Sequence, residues 1–139
     1  MEYTTNQKGL ITELEVALKL IKMGYQVSQP LNADCKYDFI VDVNNRLLRI
    51  QVKTAHISTK TENAIQFKCR SITGHNEIRT SLYSKEEVDY FATYWDGEVY
   101  LVPVGECSAE KTLRLSKEVF RSNSSYAEDY IASEVLKAL

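Results

Sequence analysis

Three polar side chains suited to phosphate chemistry stand between residues 38 and 53 of the sequence. Asp38 lies near the start of one strand-like run, and Gln51 and Lys53 alternate along the next run. Because alternate residues of a strand share a face, a hairpin of the two runs would bring these side chains together at one end. Carboxylate and amide oxygens are ligands that Mg²⁺ accepts, and a lysine can balance phosphate charge or activate an attacking water. The spacing therefore predicts a site for a hard cation and a phosphate.

The same alternation also fits a strand that has no site. Leu48, Ile50 and Val52 point to one side of the run, which is the pattern of a strand buried on one face and solvated on the other. Gln51 and Lys53 would then belong to the solvated face. The pattern alone leaves both interpretations open.

The elements that must position these residues follow from hydrophobic periodicity. A helix is predicted from about Asn6 to Met23, with Gly24 at its end and one apolar stripe along it. The stripe consists of Leu10, Leu14, Ala17, Leu18 and Ile21. Glu13 and Glu15 fall on opposite borders of the stripe, and a residue at a border can face a cleft between helix and sheet.

Strand-like runs follow the helix and are separated by turn signals. They cover residues 25–27, 37–43, 46–54, 64–70, 89–95 and 98–104, with a short edge strand at 113–115. Asn44-Asn45 predicts the turn of a hairpin. A short helix is predicted to begin at Ser84, and a terminal helix to span 126–139. The order predicts a mixed α/β, or α+β, fold with a central sheet, and no linker or repeat divides residues 1–139, so one domain is expected.

Composition limits the class of protein. With 139 residues, 44% of them hydrophobic and 26% charged, the chain can bury a core without disulfides. No apolar run approaches the ~20 residues that cross a bilayer. The first ten residues lack the order of a signal peptide, so the sequence predicts a cytoplasmic protein without a membrane partner. The three cysteines form no CxxC pair, which argues against a thiolate zinc site and a thioredoxin motif.

Charge is unevenly distributed along the chain. The net charge is −2, but residues 44–85 carry eight cations and only two anions. Such a basic segment could bind a phosphate backbone. An excess of cations is equally typical of a surface that is simply solvated. Charge alone therefore leaves a nucleic-acid partner open.

Three segments taken together resemble the PD-(D/E)xK nuclease superfamily. Lys8 to Glu13 resembles its K-G-x-x-x-E opening, Tyr37 to Asp42 its aspartate strand, and Arg49 to Thr54 its final motif. Gln51 stands where the superfamily usually has Asp or Glu. The spacings between the three motifs, and the glutamine at position 51, are similar to those found in one branch of the superfamily, that of the cyanobacterial group I intron-encoded homing endonuclease. The resemblance covers roughly residues 6–106.

The resemblance implies a restriction-endonuclease-like core of α-β-β-β-α-β order with flanking helices. It also implies a Mg²⁺-dependent endonuclease, with Mn²⁺ as a substitute, that hydrolyses phosphodiester bonds of double-stranded DNA. Its catalytic residues would be Glu13, Asp38, Gln51 and Lys53. Asp38 would be the principal metal ligand, beside the side-chain carbonyl of Gln51 and the main-chain carbonyl of Val52. Glu13 would bind the metal directly or through water, and Lys53 would position and activate the attacking water.

The resemblance also implies partners. One such site cuts one strand, so cleavage of both strands predicts a homo-oligomer, a dimer or a tetramer. Contacts to DNA are expected among Lys60, Lys68, Arg70 and Arg79, and the DNA-bound protein would be associated with the nucleoid. Two other interpretations stay open. One is a structure-selective nuclease like a Holliday-junction resolvase, and the other is a catalytically silent DNA-binding module on the same fold.

Overall fold

The computed structural model describes residues 1–73, 79–117 and 124–139. The chain begins with a long helix, continues through ten strands and ends in a short helix. The helices are α1 Thr5–Lys22 and α2 Ala132–Lys137, with single 3-10 turns at Val104–Glu106 and Ala127–Tyr130. The strands are β1 Gln26–Ser28, β2 Phe39–Val43, β3 Arg46–Val52, β4 His56–Ile57, β5 Ala64–Lys68, β6 Arg70–Thr73, β7 Arg79–Leu82, β8 Tyr90–Trp95, β9 Glu98–Pro103 and β10 Glu110–Arg114. Within these ranges no helix has the length and apolar character needed to cross a bilayer.

Helix α1 has a well-defined start. The hydroxyl of Thr4 accepts a hydrogen bond from the main-chain N–H of Gln7 at 3.2 Å, and the Gln7 side chain accepts one from the Thr4 N–H at 2.8 Å. This reciprocal capping satisfies two amide groups that the first turn leaves unpaired. The helix ends just before Gly24, whose φ of 94° suits glycine. The predicted helix is confirmed to within one residue at each end.

Five strands form the central sheet in the order β1-β2-β3-β8-β9. All neighbours are antiparallel except β3 and β8, which run parallel. The predicted hairpin of β2 and β3 is confirmed, with Val43 paired to Arg46 and Phe39 to Ile50. Its two-residue turn holds Asn44 and Asn45 at positive φ, as a type I′ turn requires. The turn thereby fixes which residues of the two strands face each other.

The central sheet separates two apolar cores. One face packs against α1 and α2, around Val16, Leu20 and Ile50. The opposite face packs against a second, three-stranded sheet of order β10-β5-β4. Neighbouring residues of β8 serve different cores, Ala92 the first and Phe91 the second. Such alternation is what a sheet covered on both faces needs.

Strands β4 to β7 all lie in the connection between the parallel strands β3 and β8. Strands β6 and β7 form a separate antiparallel pair, with Arg70 opposite Leu82. The sequence predicted neither β4 nor the β6–β7 pair. Their residues are polar and β4 has only two of them, so neither leaves a hydrophobic pattern.

The predicted apolar stripe of α1 does not face the sheet. Leu10, Leu14, Leu18 and Ile21 are 48–60% exposed, while Thr12, Val16 and Leu20 are buried. The helix has apolar residues on two sides, and periodicity alone does not reveal which side the sheet covers. The exposed residues of the predicted stripe therefore form an outward apolar face, here called the α1 outer face: Leu10, Leu14, Leu18 and Ile21.

Two predicted helices were also wrong. Residues 85–87 form a turn, because the carbonyls of Lys85 and Glu86 accept hydrogen bonds from the Arg49 guanidinium and do not serve a continuing helix. At the C-terminus, Ile131 has an extended conformation and bridges to Tyr100 of β9. That contact divides the predicted 126–139 helix into a 3-10 turn and α2.

Candidate active site

A cleft of about 360 Å³ opens where the first half of α1 meets the ends of β2 and β3. Glu13, Asp38, Gln51 and Val52 all line it. A second cleft, of about 260 Å³, lies on the other side of Glu13 and Asp38 and is bounded by the loop that precedes β2. Residues from three elements are thus brought together, as the sequence analysis expected.

The backbone of β3 holds Asp38 in place. Its N–H donates to the carbonyl of Ile50 at 2.8 Å, and its carboxylate Oδ2 accepts from the N–H of Val52 at 2.8 Å. Continuing the β2–β3 register by one residue puts Asp38 opposite Gln51. The carboxylate is therefore fixed by main-chain atoms, so its position depends little on side-chain rotamers.

The Gln51 amide lies among oxygen atoms. One end of it is 2.7 Å from the carbonyl oxygen of Lys36 and 3.3 Å from Asp38 Oδ2. Nε2 belongs at this end, because there the amide donates hydrogen bonds to both oxygens. The amide oxygen then occupies the other end of the side chain.

Glu13 is positioned by the residue beside it. Thr12 is buried, donates to the carbonyl of Lys8 at 2.9 Å and lies 3.3 Å from the hydroxyl of Thr54, which follows β3. This contact attaches the helix to the end of the motif strand. Burial, a hydrogen bond with Asp38 and the negative charge of Asp38 together raise the pKa of Glu13 to about 7. Glu13 therefore holds its proton up to about neutral pH.

Lys53 reaches from the end of β3 toward the second sheet. The main-chain N–H of Lys53 donates to the carbonyl of Ala92. Its side-chain Nζ lies 3.4 Å from the carbonyl of Arg70 and 3.5 Å from the hydroxyl of Tyr83. The ring centroid of Tyr83 is 4.9 Å from the same nitrogen. Burial lowers the pKa of Lys53, and the charges of Asp38 and Cys69 oppose that shift only in part.

The oxygen donors of the cleft fit a hard cation. Two carboxylates, an amide oxygen from Gln51 and a main-chain carbonyl such as that of Val52 are the kinds of ligand that Mg²⁺ takes. Within the described ranges no group of three or more His, Cys, Asp or Glu side chains is suited to a metal. A metal held here would therefore depend on amide and carbonyl oxygens as well as on Glu13 and Asp38.

Three of the four predicted DNA-contact residues have described side chains. Lys60, Lys68 and Arg70 are exposed, and Lys68 and Arg70 flank the buried Cys69 so that both point outward. The carbonyl of Arg70 lies 3.4 Å from Lys53 Nζ, so the basic edge formed by Lys68 and Arg70 adjoins Lys53. The side chain of Arg79 lies outside the described part of the chain.

One cation of the basic segment serves the fold. Arg49 forms a salt bridge with Asp89 at 3.1 Å and also bonds to the carbonyls of Lys85 and Glu86. Burial alone would raise the pKa of Asp89, but hydrogen bonds from Arg49 hold it below the usual value. Arg49 thus connects β3 to the start of β8, and the charge count overstates what is available to phosphates.

Sequence reasoning missed Tyr83 and Lys36. Tyr83 contacts Lys53, and Lys36 presents its carbonyl to Gln51 and its ammonium to the Tyr83 ring, 5.8 Å from the centroid. Neither residue belongs to a periodic or spaced motif. Their contacts depend on how the second sheet packs, and no signal in the sequence could have found them.

Comparison with known proteins agrees with this arrangement. A family model described as PD-(D/E)XK endonuclease matches residues 3–133. Protein 5.3 of Escherichia phage T7 is 28% identical over 110 residues, 78% of this chain and 88% of that protein.

The structure of a bacterial homing endonuclease, I-Ssp6803I, superposes with a TM-score of 0.78 at 26% identity, covering 98% of this chain and 95% of that chain. The expected restriction-endonuclease-like fold and the resemblance to the homing-endonuclease branch are thereby confirmed. With nearly all of its sequence matched, this chain belongs to the PD-(D/E)XK endonuclease family.

Proposed function

We propose that this chain is a Mg²⁺-dependent endonuclease that hydrolyses phosphodiester bonds of double-stranded DNA, in the manner of a homing endonuclease. The observation that carries the proposal is the convergence of Glu13, Asp38 and Gln51 in one cleft, with Lys53 near enough for the charge of Asp38 to act on it. Two carboxyl groups, an amide and a partly buried lysine form a set suited to hydrolysis of a charged ester. The family match and the similarity to a homing endonuclease support the same activity.

Each residue has a distinct part in the proposed reaction. Asp38 presents carboxylate oxygens positioned by the Val52 N–H of β3, and the Gln51 amide is held by its hydrogen bond to the Lys36 carbonyl. Lys53, whose pKa is lowered by burial, orients the attacking water and accepts its proton. The water oxygen bonds to phosphorus as one bridging P–O bond breaks, and the leaving oxygen takes a proton from solvent.

The divalent ion, Mg²⁺ or Mn²⁺ in its place, would be held by Asp38, the Gln51 side-chain oxygen, the Val52 carbonyl and Glu13. When bound, it supplies polarisation of the phosphate and balances the charge that develops there. Because the amide of Gln51 is neutral, Glu13 has to contribute more of the negative charge. The proton that Glu13 holds near pH 7 is then displaced when the ion binds.

Double-stranded DNA is the proposed substrate because the basic edge adjoins Lys53. Arg70 contacts Lys53 through its carbonyl and, with Lys68, presents an exposed cation there. Lys60 and Arg79 are proposed as further contacts. The proposed site of action is the cytoplasm, with the protein on the nucleoid while DNA is bound, and we treat residues 1–139 as one working domain.

We also propose that the chain acts as a homo-oligomer, a dimer or a tetramer. A single cleft cuts a single strand, so breaking both strands needs two copies. The α1 outer face supports association, since its four aliphatic side chains are 48–60% exposed along one 18-residue helix. Half-exposed side chains of this size present on the order of 400 Å² of apolar surface, as much as the largest patch of a typical monomer. Pairing of this face between copies would remove that surface from water.

The test of activity is cleavage of a supercoiled plasmid library that contains random inserts and a cruciform. Wild-type protein is incubated in Mg²⁺, in Ca²⁺ and in EDTA, beside Asp38→Ala and Lys53→Ala. Asp42→Ala is the matched control, because Asp42 is an exposed aspartate of β2, the strand that Asp38 directly precedes. We expect Mg²⁺-dependent cutting that both site variants lose and the control keeps.

Other outcomes separate the alternatives. Cutting confined to the cruciform would identify a structure-selective, resolvase-like nuclease. A silent binding module would be identified by two results together. DNA binding would not depend on Mg²⁺ or on Lys53, and neither Mg²⁺ nor Ca²⁺ would raise the melting temperature of the wild type relative to Asp38→Ala. These results would end the nuclease proposal.

A further inference from the structure

The ammonium of Lys53 lies against one aromatic side chain. Its Nζ is 3.5 Å from the hydroxyl of Tyr83 and 4.9 Å from the centroid of the ring, so it lies toward the hydroxyl end of the ring. The carbonyl of Arg70 also accepts a hydrogen bond from this nitrogen, at 3.4 Å. Both hydrogen bonds are long, so an aromatic surface that attracts the cation contributes to where the amine lies.

Tyr83 is itself held rigidly. Its ring meets Phe91 edge to face, with centroids 5.4 Å apart and planes at 89°. Phe91 is 1% exposed and pairs with Gln51 in the parallel β3–β8 ladder. A chain of packed groups therefore leads from the motif strand through Phe91 and Tyr83 back to Lys53.

A lysine side chain needs such support in order to act at a defined point. It has four rotatable bonds, and its strand position determines only the direction of its first carbon. Around this amine the charged or titratable groups are Asp38, Cys69 and Tyr83, with Lys36 on the far side of the shared ring. Of these, Tyr83 is the group that contacts the Lys53 nitrogen through both a polar atom and an apolar surface.

We infer that Tyr83 is a positioning residue for Lys53, holding its ammonium chiefly through the ring, with the long contact to the hydroxyl as a secondary one. The inference rests on the proposed function for its catalytic consequence, but the contact itself does not. Tyr83 touches no reacting atom in this role. It restricts the amine to one position, and displacement of a catalytic group by about 1 Å can cost on the order of a hundredfold in rate.

The first test is spectroscopic and needs neither metal nor DNA. Lysine ε-methylene protons that lie over an aromatic ring resonate upfield of those in solvent. In full-length protein with ¹³C-labelled lysine, at one fixed pH, the Lys53 signal is assigned by its loss in Lys53→Arg. We expect an upfield signal in the wild type that Tyr83→Phe keeps and Tyr83→Leu loses.

The second test is kinetic and uses the same variants. We expect Tyr83→Leu to lower kcat by roughly tenfold to a hundredfold with KM within about threefold, because positioning acts on the chemical step. Tyr83→Phe, which keeps the ring, should stay within about threefold of wild type. Tyr130→Leu is the matched control, since Tyr130 faces Lys111 with a centroid distance of 5.4 Å, away from the cleft.

The outcomes are distinguishable. A wild-type Lys53 signal without an upfield shift overturns the inference even if Tyr83→Leu does not fold. A folded Tyr83→Leu that cleaves with wild-type kcat also overturns it. If the wild type cleaves no DNA but its shifted signal is lost in Tyr83→Leu, the proposed function fails while the positioning of Lys53 by Tyr83 is supported.

Discussion

Glu13 of the first helix and Asp38, just before the second strand, present their carboxyl groups to the same cleft. Burial, a hydrogen bond with Asp38 and the charge of Asp38, in that order, raise the pKa of Glu13 to about 7. Glu13 therefore holds its proton up to about neutral pH, and the proposed metal ion would displace that proton on binding. This relationship makes the site sensitive to pH near neutrality.

Metal binding should follow this proton. Below pH 7 the proton on Glu13 competes with Mg²⁺, so we expect Mg²⁺ affinity to rise as pH increases from 6 to 8. Calorimetry in buffers of different ionisation enthalpy measures both the affinity and the protons released. Glu13→Gln should bind more weakly and lose most of the pH dependence. Equal affinity of the wild type for Mg²⁺ at pH 6 and pH 8 would contradict the raised pKa of Glu13.

The same carboxyl pair predicts how stability varies with pH in metal-free protein. The folded-state pKa of Glu13 lies above its ordinary value of 4.5, so the native state binds more protons between these values. The contribution of Glu13 to the free energy of unfolding is fully present below about pH 4.5 and is lost as pH rises through about 7. Because Glu13 is only half-buried, we expect about 1 kcal/mol after allowing for solvent screening.

Thermal melts between pH 5 and pH 8 measure this effect. Glu13→Gln should remove the part of the decline in stability that comes from Glu13 as pH rises. Glu15→Gln should retain it, because Glu15 lines a different cleft, beside Tyr94. If the stability of Glu13→Gln fell between pH 5 and pH 8 by as much as that of the wild type, the pH dependence would belong to other groups.

Restoring a carboxylate at position 51 should strengthen metal binding. Gln51→Glu adds a negative charge beside Asp38, so we expect Mg²⁺ affinity to rise by at least about tenfold. Without metal, three carboxylates repel one another, and the melting temperature should fall until Mg²⁺ is added. Calorimetry and melts measure both effects. Gln26→Glu, an exposed position on β1, serves as control and should change neither.

Arg49 and the basic edge should respond differently to salt. Lys68→Ala and Arg70→Ala should each reduce the slope of log affinity for DNA against log salt by about 1, the value for one lost phosphate contact. Arg49→Ala should leave the slope unchanged, since its guanidinium is bound to Asp89, yet lower stability by about 1–2 kcal/mol. Filter-binding titrations and denaturant unfolding separate the two effects. Unchanged slopes in both edge variants would remove them from the DNA interface.

The α1 outer face should govern association. Leu14→Gln combined with Leu18→Gln should shift the protein to smaller species in sedimentation velocity, because the paired surface loses its apolar character. Leu47→Gln is the control, since Leu47 is 65% exposed but lies outside this face. A wild-type monomer at all accessible concentrations would contradict the proposed oligomer. An unchanged oligomer in the double variant would assign the interface to another surface.

The sequence was sufficient where local rules decide the structure. The Asn44-Asn45 turn and the alternation along β3 predicted a hairpin, and the structure has that hairpin. Its register then brings Asp38 opposite Gln51 without any need for tertiary information. Glu13 required the family resemblance, because a glutamate on a helix has no local feature that distinguishes a site from solvent.

The sequence was insufficient where packing between distant elements decides. The outward side of α1 was taken for its core side, because both sides carry aliphatic residues. Ile131 leaves the helical conformation because it bridges to Tyr100. Tyr83 reaches Lys53 only once the second sheet is packed on the first.

The parallel pairing of β3 with β8 has a consequence for synthesis of the chain. Every proposed catalytic side chain has been translated once residue 53 is made, yet the amide of Lys53 finds its partner, the carbonyl of Ala92, only much later. A nascent chain or a fragment that stops before β8 carries the complete set of reactive groups without the neighbouring strand that supports them. The proposed ability to cut DNA would thus be delayed until most of the polypeptide has been synthesised.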